Sequence, residues 1–305
     1  MMMTRPPFLK PSDWVAIVSP AKYIDSEIID NAVRLLEKRG YRVWVGQNAK
    51  GRYGRFSGSD QERTNDLQEA LDRPEVKAVF FARGGYGSVR IMERINWTAF
   101  KSSPKWLCGF SDITVFHNLV HLTRSCSVHS TVPLNFPKDE FNSPLESLFD
   151  VLEGNSLHYK LNANSNNSFG RAKAEVVGGN LSVFCSLIGT PADIDTTGKI
   201  LFLEEISEYD YKVDRMLYTL KLAGKFQNLA GLIIGGFTDI KKSDNGLMLN
   251  TQQLITEKIP LNKYPVCFQF PGGHIPENMA LPLGEPACLD VEKDKTYISF
   301  THGRS

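Results

Sequence analysis

Three kinds of side chain in this sequence could together carry out nucleophilic catalysis: a serine, a carboxylate and a histidine. Ser111, the pair Glu204–Glu205 and His274 each follow an apolar run that predicts a buried strand. Serine becomes a nucleophile when a base takes its proton, histidine supplies that base, and a carboxylate fixes the histidine tautomer and stabilises the imidazolium. The sequence therefore predicts acyl-transfer chemistry if the fold brings these residues together.

Ser111 lies where a predicted strand turns at once into a predicted helix. Apolar residues recur at helical spacing after it: Ile113, Phe116 and Val120. We expect Gly109 to give this turn its backbone freedom, and the free N–H groups of the helix start would suit an oxyanion. The stretch resembles the nucleophile elbow of hydrolases but lacks the second glycine of G-x-S-x-G. The simpler alternative is that Ser111 or Asp112 caps the helix.

A glycine-rich loop, Gly84-Gly85-Tyr86-Gly87, follows the predicted strand Val76–Ala82. Its glycines would let backbone amides approach a ligand, although a tight turn between strand and helix explains them equally well. The loop matches neither G-x-G-x-x-G nor G-x-x-x-x-G-K-[ST], so these motifs give no support for nucleotide binding. Taken singly, Glu204–Glu205 could be a surface pair and His274 an exposed loop residue.

The elements that would position these residues follow an α/β pattern. In the first half, buried-strand runs and helical patterns alternate four times. We expect Asp60 to cap the second helix, and the third and fourth helical patterns follow the glycine loop and Ser111. This alternation predicts a parallel sheet, and ligands bind such sheets at the C-terminal ends of the strands. The glycine loop and Ser111 both fall at such ends. The second half is a less regular mixed α/β pattern that closes with a predicted hairpin.

The domain organisation follows from the place where this pattern loosens. The small polar stretch Asn162–Ser168 interrupts the regular elements. We expect an N-terminal domain over residues 1–155 that carries the serine, a linker over 156–172, and a C-terminal domain over 173–305 that carries the glutamate and the histidine.

Composition limits the classes of function. The 305 residues carry a formal net charge of +1, which gives no support for a nucleic-acid partner. No apolar run approaches the roughly 18–20 residues of a membrane span, and the N-terminus lacks the apolar core of a signal peptide, so we expect a cytoplasmic protein without a membrane partner. The five cysteines form no C-x-x-C pair, and His117 and His121 lack an H-E-x-x-H motif. We therefore expect no metal and no cofactor.

Seven stretches along the chain together resemble the LD-carboxypeptidase family of serine peptidases. In family order they are Val15–Ala21, Arg83–Gly87, Gly109–Thr114, Gly178–Ser182, Leu201–Glu205, Asp214–Leu217 and Gly273–His274. The resemblance implies an N-terminal Rossmann-like parallel-sheet domain, a C-terminal mixed α/β domain with a barrel-like sheet, and commonly a homodimer.

The resemblance also implies a reaction. Family members cut the amide between the L-centre of a diamino acid and the terminal D-alanine of murein tetrapeptides, a step of peptidoglycan recycling. The family's nucleophile falls on Ser111 and its histidine on His274. Its glutamate falls on Glu204 rather than Glu205. A Ser-His-Glu triad acting through an acyl-enzyme is thereby implied.

Further site residues follow from the same resemblance. The oxyanion amides fall on Gly85 and Asp112, and we assign substrate binding to Tyr86 and Asn180. The sequence departs from the family in two places: His129–Val132 stands where relatives often carry H-G-P-M, and Glu205 replaces the more usual aspartate. Both departures concern the substrate pocket rather than the triad.

Two other functions stay open at this point. A related branch cleaves peptidyl or aminoacyl adenylate analogues and gives self-immunity to a nucleotide antibiotic. That branch tends to have an extra loop with an aromatic residue for the base, and 305 residues is short for it. The second alternative is a murein-peptide binder without catalysis, against which the complete Ser-Glu-His set argues.

Overall fold

The computed structural model describes residues 3–243, 246–260 and 263–301. The chain forms two compact units, an N-terminal unit of residues 1–155 with 279–282 and a C-terminal unit of residues 156–278 with 283–305. Among the described residues, no helix combines the length and the apolar character needed to cross a membrane.

Thirteen strands and eight α-helices are found in the described residues. The strands are β1 (Trp14–Val18), β2 (Arg42–Val45), β3 (Val76–Phe81), β4 (Trp106–Gly109), β5 (Ser127–His129), β6 (Leu157–Asn162), β7 (Gly170–Asn180), β8 (Ile200–Ile206), β9 (Gly231–Thr238), β10 (Val266–Cys267), β11 (Leu281–Leu283), β12 (Pro286–Val291) and β13 (Lys295–Phe300). The helices are α1 (Ser26–Lys38), α2 (Asp60–Asp72), α3 (Thr98–Ser102), α4 (Thr114–Leu122), α5 (Ser143–Glu153), α6 (Leu181–Ser186), α7 (Asp210–Leu222) and α8 (Thr251–Thr256).

The N-terminal unit is built on a six-stranded sheet in the order β11-β5-β4-β3-β1-β2. Strands β2, β1, β3, β4 and β5 are parallel to their neighbours. Strands β1, β3 and β4 are almost entirely buried, which is typical of a parallel sheet and explains their continuous apolar sequence. The predicted parallel α/β architecture is confirmed, and the C-terminal ends of β3 and β4 carry the glycine loop and Ser111.

Two predicted helix details of this unit are wrong. Helix α2 has Ser59, not Asp60, as its N-cap, because the Ser59 hydroxyl accepts the Glu62 N–H while the Glu62 carboxylate accepts the Ser59 N–H. The chain after the glycine loop forms two short 3₁₀ turns, Ser88–Arg90 and Met92–Arg94, rather than one helix. The apolar spacing in that stretch reflects burial of Met92 and its neighbours and not a continuous helix.

The C-terminal unit is built on a seven-stranded mixed sheet in the order β10-β9-β8-β7-β12-β13-β6. Strands β7 to β10 are parallel, whereas along the series β7, β12, β13 and β6 each strand is antiparallel to the next. An isolated bridge between Ser168 and Val266 also joins β10 to the chain just before β7. The predicted mixed α/β class and the terminal hairpin, β12 with β13, are confirmed.

The predicted linker over residues 156–172 is wrong, because this segment contains the whole of strand β6 and the start of β7. Strand β6 pairs with β13 from Leu157 opposite Phe300 to Asn162 opposite Lys295. Leu157 and Tyr159 are buried, whereas His158 and Lys160 are exposed. This alternation predicts a strand with one buried face, but the polar run after it obscures the pattern. The chain also returns to the N-terminal unit at residues 279–282, which the predicted domain bounds did not include.

Candidate active site

Ser111 has an unusual backbone conformation at the end of β4. Its φ is +66°, and it begins a 3₁₀ turn, Ser111–Ile113, that leads directly into α4. A left-handed φ is disfavoured for residues other than glycine and is often found at functional turns. Gly109, which we expected to supply this freedom, is the last residue of β4. Its missing side chain instead makes room for α4, since a Cβ there would lie 3.1 Å from Ile113 Cγ1.

The glycine loop packs directly on Ser111. A Cβ built on Gly84 would lie 2.8 Å from Ser111 Cβ and 3.1 Å from its hydroxyl oxygen. Gly85 has a φ of +110° and is exposed. The first glycine therefore permits the close approach of the serine, and the second turns the loop so that its backbone faces solvent.

The Asp112 side chain ties the glycine loop to the serine turn. Its buried carboxylate accepts the Ser88 N–H at 2.8 Å, and burial raises the pKa of Asp112. The capping alternative is not observed for either residue, since the N-cap of the 3₁₀ turn is Phe110 and that of α4 is Ile113. The two predicted oxyanion amides, of Gly85 and Asp112, thus belong to segments that a hydrogen bond connects.

His117 supports the strand beneath Ser111, a role that sequence reasoning missed. Its Nε2 lies 2.9 Å from the Gly109 carbonyl oxygen, to which it donates, and its Nδ1 lies 2.8 Å from the Ser127 hydroxyl. Burial lowers the pKa of His117 to about 4, so the ring is neutral at physiological pH. Both ring nitrogens of His117 are thus occupied by hydrogen bonds, and the described residues contain no cluster of three or more metal-ligating side chains.

In the C-terminal unit, Glu204 and His274 form a direct contact. His274 Nδ1 lies 2.7 Å from Glu204 Oε2, and the glutamate side chain is 0% exposed while that of the histidine is 17% exposed. Gly273, with a φ of +104°, allows this contact, because a Cβ there would lie 2.6 Å from Glu204 Oε2. Asn278 accepts the Gly273 N–H at 2.7 Å and fixes the turn.

Glu205 points away from His274. Its carboxylate accepts the Ser182 N–H at 2.8 Å and the Asn180 side-chain amide at 3.0 Å, both at the start of α6. Burial raises the pKa of Glu205. Adjacent strand residues face opposite sides, so β8 presents Glu204 to the histidine and Glu205 to the helix. The contact expected from the sequence is present for Glu204; its catalytic role stays a prediction.

The two predicted substrate-binding residues have different surroundings. Tyr86 is exposed, and its ring lies 6.1 Å from that of Phe56. Asn180 is buried, and its side-chain oxygen caps α6 by accepting the Val183 N–H at 3.2 Å. The structure thus gives Asn180 a structural role in addition to any contact with substrate.

A cavity of about 540 Å³ opens in the C-terminal unit beside the histidine turn. Its walls include Phe237 and Phe270 and the residue after the histidine, Ile275. Gly236 in the wall donates its N–H to the Gly272 carbonyl oxygen at 2.9 Å, which attaches the histidine turn to β9. No charged side chain lines the cavity within the described part of the chain.

A strained serine at a strand-to-helix turn and a buried carboxylate–histidine pair are parts that serine hydrolases use. Residues 15–130 match the model of the LD-carboxypeptidase N-terminal domain, and residues 173–289 match that of the C-terminal domain. The chain belongs to the LD-carboxypeptidase family, and the resemblance inferred from the sequence is confirmed. It is a hydrolase of the peptidase type.

Individual relatives are similar over almost the whole chain. A probable murein peptide carboxypeptidase of Bacillus subtilis is 33% identical over 96% of this chain and 94% of its own length. The crystal structure of a muramoyltetrapeptide carboxypeptidase from Oxalobacter formigenes is 28% identical, with a TM-score of 0.86 over 94% of this chain and 98% of that one. The structure of MccF in complex with glutamyl sulfamoyl guanosine has a TM-score of 0.85 over 99% of both chains, but at 19% identity it shows only the shared fold.

Proposed function

We propose that this protein is a serine carboxypeptidase that removes the terminal D-alanine from murein tetrapeptides by hydrolysing its amide bond to the L-centre of a diamino acid. The observation that carries the proposal is the 2.7 Å contact between His274 Nδ1 and the fully buried Glu204 carboxylate. A carboxylate in this place holds the proton on Nδ1, which is the tautomer whose Nε2 acts as the base in a serine triad. The strained Ser111 turn supplies the matching nucleophile.

The first half of the proposed reaction forms an acyl-enzyme. The Ser111 hydroxyl oxygen attacks the scissile carbonyl carbon while His274 Nε2 takes the hydroxyl proton, and Glu204 stabilises the resulting imidazolium. The negative charge that develops on the carbonyl oxygen is bound by the backbone N–H groups of Gly85 and Asp112. His274 then gives its proton to the nitrogen of the leaving D-alanine as the amide bond breaks.

The second half releases the shortened peptide. A water molecule gives a proton to His274 Nε2 and attacks the ester carbonyl carbon, and the imidazolium returns a proton to Ser111 as the ester bond breaks. All these groups belong to the chain itself, so the proposal requires neither metal nor cofactor. Tyr86 and Asn180 remain predicted contacts of the peptide, and a homodimer remains a prediction.

The choice of a murein peptide rests on the relatives. The Bacillus subtilis and Oxalobacter formigenes proteins carry the names of murein peptide and muramoyltetrapeptide carboxypeptidases, and both are similar over more than nine-tenths of this chain. Peptidoglycan recycling in the cytoplasm is the process in which such a substrate would arise, and it belongs to the proposal.

The direct test is incubation of the purified protein with a defined murein tetrapeptide and detection of free D-alanine by mass spectrometry. The matched control is the same peptide ending in L-alanine. We expect release from the D-terminated peptide and at least ~10-fold slower release from the L-terminated one, since a site built for one configuration misplaces the scissile bond of the other. Release of alanine from neither peptide would contradict the proposal.

Cleavage of peptidyl or aminoacyl adenylate analogues is the second candidate, and the MccF fold similarity is the observation that favours it. A competition assay with the tetrapeptide and an aminoacyl sulfamoyl adenosine as alternative substrates separates the two. We expect a higher kcat/KM for the tetrapeptide. A murein-peptide binder without catalysis would bind the tetrapeptide without releasing D-alanine.

A further inference from the structure

Four cationic side chains surround the glycine loop of the N-terminal unit. They come from three separate segments of the chain, and we call them the cationic rim: Lys22, Arg52, Arg55 and Arg83. None of them has a part in the chemistry proposed above. Their contacts with the glycine loop, or with residues that contact it, raise the question of which ligand they would bind.

Lys22 is the member that lies closest to the proposed chemistry. A Cβ built on Gly85 would be 3.0 Å from Lys22 Cβ and 3.5 Å from its Cδ, so the lysine side chain runs along this glycine. The preceding residue, Gly84, meets Ser111 in the same close manner. Because consecutive Cα atoms are about 3.8 Å apart, Lys22 and Ser111 flank adjacent residues of one loop.

The three arginines are attached to the same loop and its neighbours. Arg83 donates from Nη1 to the Tyr23 carbonyl oxygen at 3.2 Å, and the Arg52 guanidinium lies 4.2 Å from the centre of the Tyr23 ring. The Arg55 guanidinium lies 5.6 Å from the centre of the Tyr86 ring. Arg52 and Arg83 thus meet at Tyr23, the residue after Lys22, and Arg55 lies beside Tyr86 of the glycine loop.

No carboxylate neutralises the cationic rim. Within the described part of the chain none of its four members forms an ion pair, whereas the nearby Asp60 pairs with Arg63 and Arg90. The Arg83 Nε atom is shielded from solvent and has no hydrogen-bond partner among the described residues. Unpaired cations beside a shielded donor favour a negatively charged ligand.

We propose that the cationic rim, with Lys22 at its centre, binds the terminal α-carboxylate of the substrate; this inference rests on the proposed function. In a peptide cut at its last amide, the free carboxylate is one residue from the scissile carbonyl, a span of about 3.6 Å. If the Gly85 amide binds that carbonyl oxygen, the carboxylate lies within reach of the lysine beside it. A peptide without this charge would leave the rim unpaired, so the rim would restrict cleavage to chain ends.

The test compares two murein tetrapeptides, one with a free terminal carboxylate and one with a terminal carboxamide. We expect the wild-type kcat/KM to favour the acid by about 10–100-fold, the size of a charge-assisted contact. Lys22→Met should lower this preference at least ~10-fold, mainly because kcat/KM for the peptide acid falls. Lys22→Arg should retain most of the preference. Lys50→Met is the matched control, because that lysine pairs with Asp30 on the surface, and it should keep the wild-type preference.

The outcomes separate this inference from the function on which it rests. Equal cleavage of both peptides by the wild type, or an unchanged preference in folded Lys22→Met, overturns the inference and leaves the proposed function standing. A loss of preference in Lys50→Met as large as that in Lys22→Met also overturns it. Cleavage of neither peptide by the wild type overturns both. If Lys22→Met fails to fold, Arg55→Gln takes its place, because Arg55 is exposed. The same acid-to-carboxamide ratio of kcat/KM is then measured, and we expect it to be lower than in the wild type.

Discussion

At the scale of single residues, the proposed chemistry depends on which of two neighbouring glutamates faces the histidine. Glu204 contacts His274 at 2.7 Å, whereas Glu205 is occupied by the Ser182 N–H and the Asn180 amide. Both carboxylates are buried, so burial alone does not distinguish them. Their hydrogen-bond partners distinguish them, and the contact with His274 supports the proposal that Glu204 orients the base.

We predict that Glu204→Gln and Glu205→Gln differ in their effect on turnover. An amide at Glu204 favours the wrong histidine tautomer, and a comparable change in another triad enzyme lowers kcat by about 10⁴. We expect Glu204→Gln to lose at least ~100-fold in kcat and Glu205→Gln to lose much less. Steady-state kinetics of both variants on one tetrapeptide decide the matter, and a greater loss in Glu205→Gln would refute the assignment.

The strained serine leads to a stability prediction. At a φ of +66°, alanine suffers the same left-handed strain as serine, while glycine does not. We therefore expect Ser111→Gly to be more stable than Ser111→Ala by roughly 0.5–1 kcal/mol, after the larger entropy of the unfolded glycine is subtracted. Urea unfolding of the two inactive variants measures this difference. A less stable Ser111→Gly would show that the backbone is unstrained there.

At the scale of elements, His117 on α4 couples the helix to the end of β4. Its folded pKa of about 4 lies below its ordinary value of 6.5. Between these values the unfolded chain takes up a proton and the folded chain does not. The contribution of neutral His117 to stability is therefore complete above pH 6.5 and is lost as the pH falls towards 4.

We predict that this loss appears in the pH dependence of unfolding. Between pH 7 and pH 5, the free energy of unfolding of the wild type should fall by about 2 kcal/mol more than that of His117→Gln. Urea titrations at both pH values measure it, with His158→Gln as the control at an exposed histidine. Parallel losses in the wild type and in His117→Gln would contradict the prediction.

Much of this element order could be read from the sequence, and the exceptions have physical causes. Strands β1, β3 and β4 are continuous apolar runs, and helices α2 and α4 have helical apolar spacing, so these elements were predicted. Strand β5, Ser-Val-His, has no such run and was missed. Strand β6 was missed because a polar run follows its short alternating pattern. The place of β11 beside β5 could not be predicted, since three apolar residues carry no information about a partner so distant in the chain.

The site was predictable in residue type but not in geometry. Alternation along β8 showed that only one glutamate could face His274. From the sequence we expected Gly109 to supply the unusual backbone conformation of the turn, because glycine is the residue that ordinarily accepts a left-handed φ. In the structure Ser111 has that conformation. The supporting hydrogen bonds of Asp112 and His117 join segments whose proximity only the fold determines.

At the scale of the whole molecule, the proposed nucleophile and the proposed base belong to different units of the chain. The proposed chemistry therefore needs the whole chain. Family models match both units in sequence order, which supports assigning one function to the two together. In the proposed mechanism, nucleophile, base and oxyanion donors all come from the chain.

We predict that turnover does not depend on a metal ion. The described residues contain no cluster of three or more metal-ligating side chains, and a Ser-His-Glu unit generates its own nucleophile. D-alanine release should be the same before and after dialysis against a chelator. Loss of activity on dialysis that added zinc restores would contradict this expectation.

The central claim is that Ser111 is the nucleophile, and the rate of D-alanine release by Ser111→Ala tests it most directly. The serine hydroxyl contributes chemistry that no neighbouring group replaces, so we predict a loss of about 10⁴-fold or more in kcat in a variant that unfolds cooperatively like the wild type. Turnover near the wild-type rate by folded, sequence-verified Ser111→Ala would contradict the account.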